Sequence, residues 1–247
     1  MAGPPGYNRG MISFRPLRLA VLLGIGASAA FVAGAPPNTL AAAEKKAGWK
    51  LLFDGQSLAG WHGVKKGSPI PPGWSVKDGV LSCAAGNQGG DIVSDQVFDN
   101  FELSWEWAMP SKSNNGVKYF ITEERGTVGH EYQMIDDSIV AKDHQDGSTA
   151  AFYLVVAPDP VKKKVKPFGE WNHSRVIVNG NHVEHWLNGQ KVVEYECGSP
   201  AVLEQVKKTK FKTTPGFGTK VRGHVLLTYH HDEASFRNVK LRELPAK

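Results

Sequence analysis

From Trp49 onward, apolar and polar residues alternate with the two-residue period of half-buried strands. The clearest run is FELSWEWAM (101–109), where Phe101, Leu103, Trp105 and Trp107 should face inward and Glu102, Ser104 and Glu106 outward. Turn signals punctuate the pattern. Asp78-Gly79 separates two short strands in SVKDGVLS, and Asn179-Gly180 and Asn188-Gly189 divide VIVNGNHVEHWLNGQKVVEYE into a three-stranded meander across 174–196. Such dipeptides tolerate the positive φ of type I′ turns. HVLLTYHH (224–231) and ASFRNVKLREL (234–244) supply two further strands. The one helix expected is short, near 200–208: Ser199 can cap it, Pro200 suits its first position, and VLEQVKK follows. Many strands, regular turns and one small helix predict an all-β fold, an antiparallel β-sandwich or jelly roll. No internal repeat or interdomain linker interrupts residues 44–247, which read as one domain.

Residues 1–43 have a different pattern. Arg9, Arg15 and Arg18 precede an apolar run from Leu19 to Val32, and Ala41, Ala42 and Ala43 offer a small-residue cleavage site. This is the pattern of a secretory signal, with a mature terminus expected near Glu44 and a secreted or periplasmic location. The run falls short of the roughly 20 apolar residues that span a bilayer, so no membrane span is expected after processing. Removing the signal also removes the basicity. The chain carries 29 Lys+Arg against 24 Asp+Glu, or +5, but residues 1–43 hold three arginines and no acid, which leaves 26 against 24, or +2. That balance argues against a nucleic-acid partner, and the basic run Lys162–Lys166 between prolines reads as a solvated loop. Two cysteines, Cys83 and Cys197, leave open one disulfide or two buried thiols.

The chemistry concentrates in GHEYQMIDD (129–137). Alternation sends Glu131 and Gln133 to one face of a strand and Tyr132 and Met134 to the other, with Asp136 and Asp137 at its end. Neighbouring carboxylates can split their pKa values, as acid–base work requires, although a solvated sheet face shows the same spacing.

A set of motifs runs in order from about Gly48 to Leu244. It comprises LFDGQSLAGWHG (52–63), WSVKDGVLSC (74–83), FELSWEW (101–107), NNGVKY (114–119), GHEYQMIDD (129–137), TAAFYLV (149–155), GEWNHSRVIVNGNHVEHWLNG (169–189), GHVLLTYHHDE (223–233) and FRNVKLREL (236–244). By these motifs the chain resembles the 3-keto-disaccharide hydrolase domain family, whose fold is a concanavalin A-like jelly roll. Two positions depart from the family pattern. Asn114-Asn115-Gly116 stands where Asn-Ser-Gly is common. Thr228-Tyr229-His230 stands where Gln-Asp-His is common, which removes an acid. The resemblance implies a carbohydrate partner, an oxidised disaccharide or glycoside whose C3 ketone acidifies the C2 proton. A base removes that proton, the C1 substituent leaves by elimination, and water adds to the enone. Such a route needs a base, a donor or metal for the enolate oxygen and an acid for the leaving group, with no organic cofactor. A divalent metal stays open.

On this reading Glu131 is the base or acid, Lys118 the enolate partner and His230 a proton carrier or metal ligand. Gln133, Asn115, His144 and Tyr229 join as substrate-binding residues, with Asp136 too if a bulge returns it to the face of Glu131. Glu131, Gln133 and Asp136 also resemble the paired acids of jelly-roll glucanases, so direct glycoside hydrolysis is one alternative and a non-catalytic sugar-binding module another. Trp61, Trp171 and Trp186 could stack on sugar rings, but core positions are expected for Trp105 and Trp186. His182 and His185, three apart on a strand, fall on opposite faces. Sequence assigns no oligomeric state.

Overall fold

Two antiparallel sheets account for the alternation. The computed structural model describes residues 1, 3 and 36–245, so the arginines and apolar run of the expected signal lie outside the described residues. In chain order the elements are α1 (Ala42–Lys46), β1 (Lys50–Leu51), β2 (Trp61–Gly63), β3 (Trp74–Lys77), β4 (Val80–Cys83), β5 (Ile92–Phe98), β6 (Phe101–Ala108), β7 (Asn114–Ile121), β8 (His130–Ile135), β9 (Asn172–Asn179), β10 (His182–Leu187), β11 (Gln190–Glu196), α2 (Pro200–Val206), β12 (Gly223–Leu227) and β13 (Ala234–Glu243). The larger sheet has the order β11-β10-β9-β6-β13-β4-β3, with β1 paired to β13. The smaller has the order β2-β5-β12-β7-β8. Together they form an all-β sandwich, and α2 starts at the expected place with the Ser199 hydroxyl accepting from Val202 N–H.

The core fills from the predicted faces. Phe101, Leu103, Trp105 and Trp107 of β6 meet Val117, Tyr119, Tyr132 and Met134 of the smaller sheet, all at most 2% exposed. Burying a large apolar side chain stabilises by about 1.5–3 kcal/mol, and Trp105 also meets Tyr132 edge-on at 4.9 Å. The outward face of β6 is less open than its pattern implied. Glu102 is only 3% exposed, because Arg175 and Arg242 close over its two oxygens at 3.0 and 2.6 Å.

Two expectations need correction, and one open alternative is decided. Trp186 is not in the core: β10 sends Val183, His185 and Leu187 inward, so Trp186 lies on the outer face under the Arg175 guanidinium at 4.5 Å. The strand expected to run to 231 stops at Leu227. There Tyr229 N–H leaves the ladder for the Asp91 carboxylate at 2.7 Å, and His231 takes a positive φ of 66°. Of the two alternatives for the cysteines, the structure has the thiols: Cys83 and Cys197 are both free and buried. Burial pushes Cys83 up to about 11 and Cys197 up to about 12. We therefore expect two titratable thiols after denaturation and almost none in the native state at pH 8, and a single non-reducing thiol count checks this.

Asn38, among the described residues before Glu44, is tied into this fold. Asn38 is 7% exposed. It exchanges backbone-to-amide hydrogen bonds with Asn238 at 2.6 and 2.8 Å and donates to Gly79 O at 2.7 Å. Cleavage after Ala43 would discard all three bonds. Among the described residues no helix is long and apolar enough to cross a membrane.

One irregularity sets up the outer face of the smaller sheet. Two residues of β7, Tyr119 and Phe120, stand opposite the single Val225 of β12, and Phe120 has φ 62°. This bulge sends both aromatic rings into the core and turns Ile121 outward, where it joins Val93 and Leu226 in a separate apolar group. Lys118 is the last outward residue before the bulge.

Candidate active site

The outer face of the smaller sheet carries one continuous row, Val93–Leu226–Lys118–Glu131, running across β5, β12, β7 and β8. Alternation had Glu131 and Gln133 on one side of β8 and Tyr132 and Met134 on the other, and the pairing agrees: Lys118 lies beside Glu131 and Gly116 beside Gln133. Glu131 is nevertheless 5% exposed rather than solvated. Its carboxylate lies over Gly116, where a Cβ would stand 2.3 Å from Oε1. Only a residue without a side chain admits it there.

Glu131 Oε1 is buried and has no hydrogen-bond partner. His230 Nε2 stands 3.7 Å away, beyond hydrogen-bond length, on an exposed residue. An anionic oxygen held out of water without a donor is costly, and a fold keeps such a group where function uses it. Gln133 is held by its own amide, which donates to Asn114 Oδ1 at 3.0 Å, and Asn114 N–H donates to Asp232 at 2.9 Å.

The segment after β12 presents His230. Thr228 N–H donates to Gly116 O at 3.0 Å and its hydroxyl donates to Asn115 Oδ1 at 3.1 Å. Tyr229 O–H donates to Gly86 O at 2.6 Å, and its ring lies so close to Gly89 that a Cβ there would overlap it at 2.1 Å. Asp91, which sequence reasoning missed, accepts from Tyr229 N–H at 2.7 Å. Burial raises the Asp91 carboxyl above the usual carboxylate range, while the charges of Lys118 and His230 pull it down. The only hint in the sequence was an acid after two glycines at the start of an apolar run, and its partner is 138 residues distant.

The structure thus brings Glu131, Lys118, Gln133 and His230 to one face and adds Asp91. The other expected residues lie elsewhere. Asn115 points inward, is fully buried and bonds Cys83 Sγ at 3.5 Å and Gly116 N–H at 2.9 Å. β8 keeps regular pairing through Ile135, so no bulge returns Asp136. Its oxygens instead accept from Lys112 N–H and Ser138 N–H at 2.8 Å each, which lowers its pKa. His144 is exposed beside Asp143 at 3.9 Å. Tyr229 is 8% exposed and spent on its loop. Trp61 joins the core, and Trp171 lies under Arg237 at 4.1 Å. Among the described residues, the one His/acid group with metal-like spacing is His182, Glu184 and Glu194 on the other sheet, where Lys191 already bridges the two acids.

A family model described as a 3-keto-alpha-glucoside-1,2-lyase-like domain matches residues 48–242. A 3-keto-disaccharide hydrolase from Bacteroides thetaiotaomicron is 28% identical over 232 residues, covering 80% of this chain and 79% of that protein. A crystal structure of a candidate glycosyl hydrolase from Parabacteroides distasonis superposes with a TM-score of 0.76 at 30% identity, over 85% of this chain and 100% of that one. A second from the same organism gives 0.62 at 26% identity, over 79% and 99%.

Proposed function

Because the chain belongs to the 3-keto-alpha-glucoside-1,2-lyase-like family, we propose that it cleaves glycosides already oxidised to a ketone at C3, by C2 proton abstraction and expulsion of the C1 substituent. Its relatives make it a glycoside-hydrolase-like enzyme acting on carbohydrate. The keto-sugar reading is supported by the buried, unpartnered carboxylate oxygen of Glu131 beside Lys118.

In this reading the Glu131 carboxylate takes the C2 proton. The electron pair of the C2–H bond moves toward C3, and the resulting enolate oxygen is held by the Lys118 ammonium. When the ketone re-forms, the C1–C2 double bond forms and the C1–O bond breaks. Water then adds to C1 of the enone. His230, 3.7 Å from the carboxylate and open to solvent, exchanges the abstracted proton with water before Glu131 returns a proton to C2. Export, the reading suggested by residues 9–43, would put this reaction outside the cytoplasm.

Direct glycoside hydrolysis of the retaining kind needs two carboxyl groups at about 5–5.5 Å. Both oxygens of Asp136 are occupied by backbone N–H groups, which removes the second acid of that mechanism. The test is incubation of the purified protein with a 3-keto-disaccharide and with its unoxidised parent in D₂O. Cleavage of the ketone alone, with deuterium entering C2, is expected. Equal cleavage of the parent would overturn the elimination, and binding without turnover would leave a sugar-binding module.

Gly116→Ala tests the geometry separately. The added methyl would stand 2.3 Å from Glu131 Oε1 and must push the carboxylate aside. A displacement near 1 Å costs about 10²-fold in rate, so kcat on the keto substrate should fall by that order.

A further inference from the structure

The elimination leaves one proton unaccounted for, the one that the departing C1 oxygen must receive. We propose that Asp91 supplies it, as the acid standing on the opposite side of the site from the base Glu131. This inference rests on the keto-sugar reading above.

The sheet order places the two carboxylates apart. Asp91 immediately precedes β5, Glu131 is on β8, and β12 and β7 lie between them. Neighbouring strands are about 4.8 Å apart, so the two backbones stand roughly 14 Å from each other and the side chains can lean in from the two sides of a sugar ring. Gly116 lies between them, and because it has no side chain the Glu131 carboxylate extends over β7 toward β12; Thr228 N–H still bonds Gly116 O, and the chain leaves the ladder at Tyr229, held by Asp91. Asp91 is nevertheless part of the same electrostatic group, because its carboxyl responds to Lys118, His230 and Glu131.

Two features make Asp91 a donor rather than a second base. One oxygen, Oδ1, is fixed by Tyr229 N–H at 2.7 Å, while the other makes no hydrogen bond with any described residue and is free to carry a proton toward a ligand. Burial also favours the protonated acid, the largest influence on this carboxyl. Glu131 lacks a donor and burial biases Asp91 toward its protonated form, which is the pairing an elimination uses. In the step itself the Asp91 O–H bond breaks and its proton goes to the C1 oxygen. That oxygen departs as an alcohol with the electrons of the C1–O bond, and Asp91 is left as carboxylate. Water addition restores its proton: the attacking water loses one to Asp91, and the enone carbon C2 regains one from Glu131.

The experiment compares Asp91→Asn with wild type on two 3-keto-glucosides, one with an alkyl and one with a 4-nitrophenyl leaving group, and follows C2–H exchange in D₂O alongside cleavage. Asn keeps an acceptor for Tyr229 N–H and removes only the proton. A lost general acid costs about 10²–10⁴-fold where the leaving group needs one. The variant should therefore lose at least about 100-fold on the alkyl substrate, stay within about three-fold on the nitrophenyl one, and exchange C2–H at the wild-type rate. Because both substrates report on the same sample, partial unfolding cancels in the ratio. Asp91→Glu, which restores a proton one methylene away, should recover part of the alkyl activity. Equal losses on both substrates would make Asp91 a positioning residue for the His230 loop, and no loss on either would remove it from the site; both outcomes overturn the proposal. A wild type that neither exchanges C2–H nor cleaves either ketone would instead overturn the reading on which it rests.

Discussion

Glu131→Gln should lower kcat on a 3-keto-glycoside by about 10²–10⁴-fold, the range for a removed general base, and abolish C2–H exchange together with cleavage. The substitution is nearly isosteric, so the carboxamide can occupy the space over Gly116 that the carboxylate fills. What it removes is the charge on a buried oxygen that no donor compensates. Taking an unpaired buried charge out of a fold does not weaken it, so the melting temperature should hold or rise. That combination separates catalysis from structure, since a structural carboxylate would show a fall in stability and a binding carboxylate a rise in KM with kcat kept. A variant that turns over the ketone within a few-fold of wild type would remove Glu131 from the mechanism. The same variant also distinguishes the two acids. Loss of Glu131 stops exchange and cleavage alike, whereas loss of Asp91 leaves exchange running.

A second large effect should appear in stability against pH, and it originates in the core rather than the site. His185 is fully buried and its Nδ1–H donates to Ala150 O at 2.9 Å. Its Nε2 therefore accepts from Tyr119 O–H at 2.8 Å. The Tyr119 oxygen accepts from Tyr195 O–H at 2.7 Å, and the Tyr195 oxygen from His130 Nδ1–H at 2.8 Å. Every donor in this chain has one direction, and His185 must be neutral for it to close because its Nε2 is the acceptor. Burial accordingly holds His185 down to about 4 and His130 well below its ordinary range, with Arg125 adding to the effect on His130.

Unfolded histidine titrates near 6.5, so the unfolded chain takes up protons that the folded chain refuses as pH falls. The contribution of His185 is thus fully present above about 6.5 and is lost as pH falls through the interval down to about 4. At 1.36 kcal/mol per unit this amounts to roughly 3 kcal/mol for His185 alone, and His130 adds in the same direction. Urea unfolding at pH 7 and pH 4.5 should show the loss. In His185→Gln, which keeps a neutral donor and acceptor, the slope between those values should be shallower by the His185 share. An unchanged slope would mean that His185 is not neutral in the folded state.

Local pattern determined a good deal of this protein. The strict alternation of FELSWEWAM put four large side chains in the core, because a pleated strand has only two faces and one was entirely apolar. Turn residues fixed the meander β9-β10-β11, since few residues accept positive φ: Asn188 and Gly189 turn together at 48° and 84°, whereas Asn179 stays in β9, paired with His182, and the first turn falls on Gly180 (65°) and Asn181. Alternation also put Glu131 and Gln133 on one face of β8. Only the tertiary structure decided which of the polar residues meet. Lys118 and Glu131 are neighbours through strand pairing between β7 and β8, and His230 reaches them only because the chain leaves β12 early and is held by Asp91. Asp136 was excluded by backbone N–H groups that claim its oxygens, and Asn115 by facing inward. Sequence spacing carries face and period, but it does not carry the register between distant strands or the competition of backbone donors for a carboxylate. Those long-range terms are what set Asp91 and Glu131 on opposite sides of Lys118.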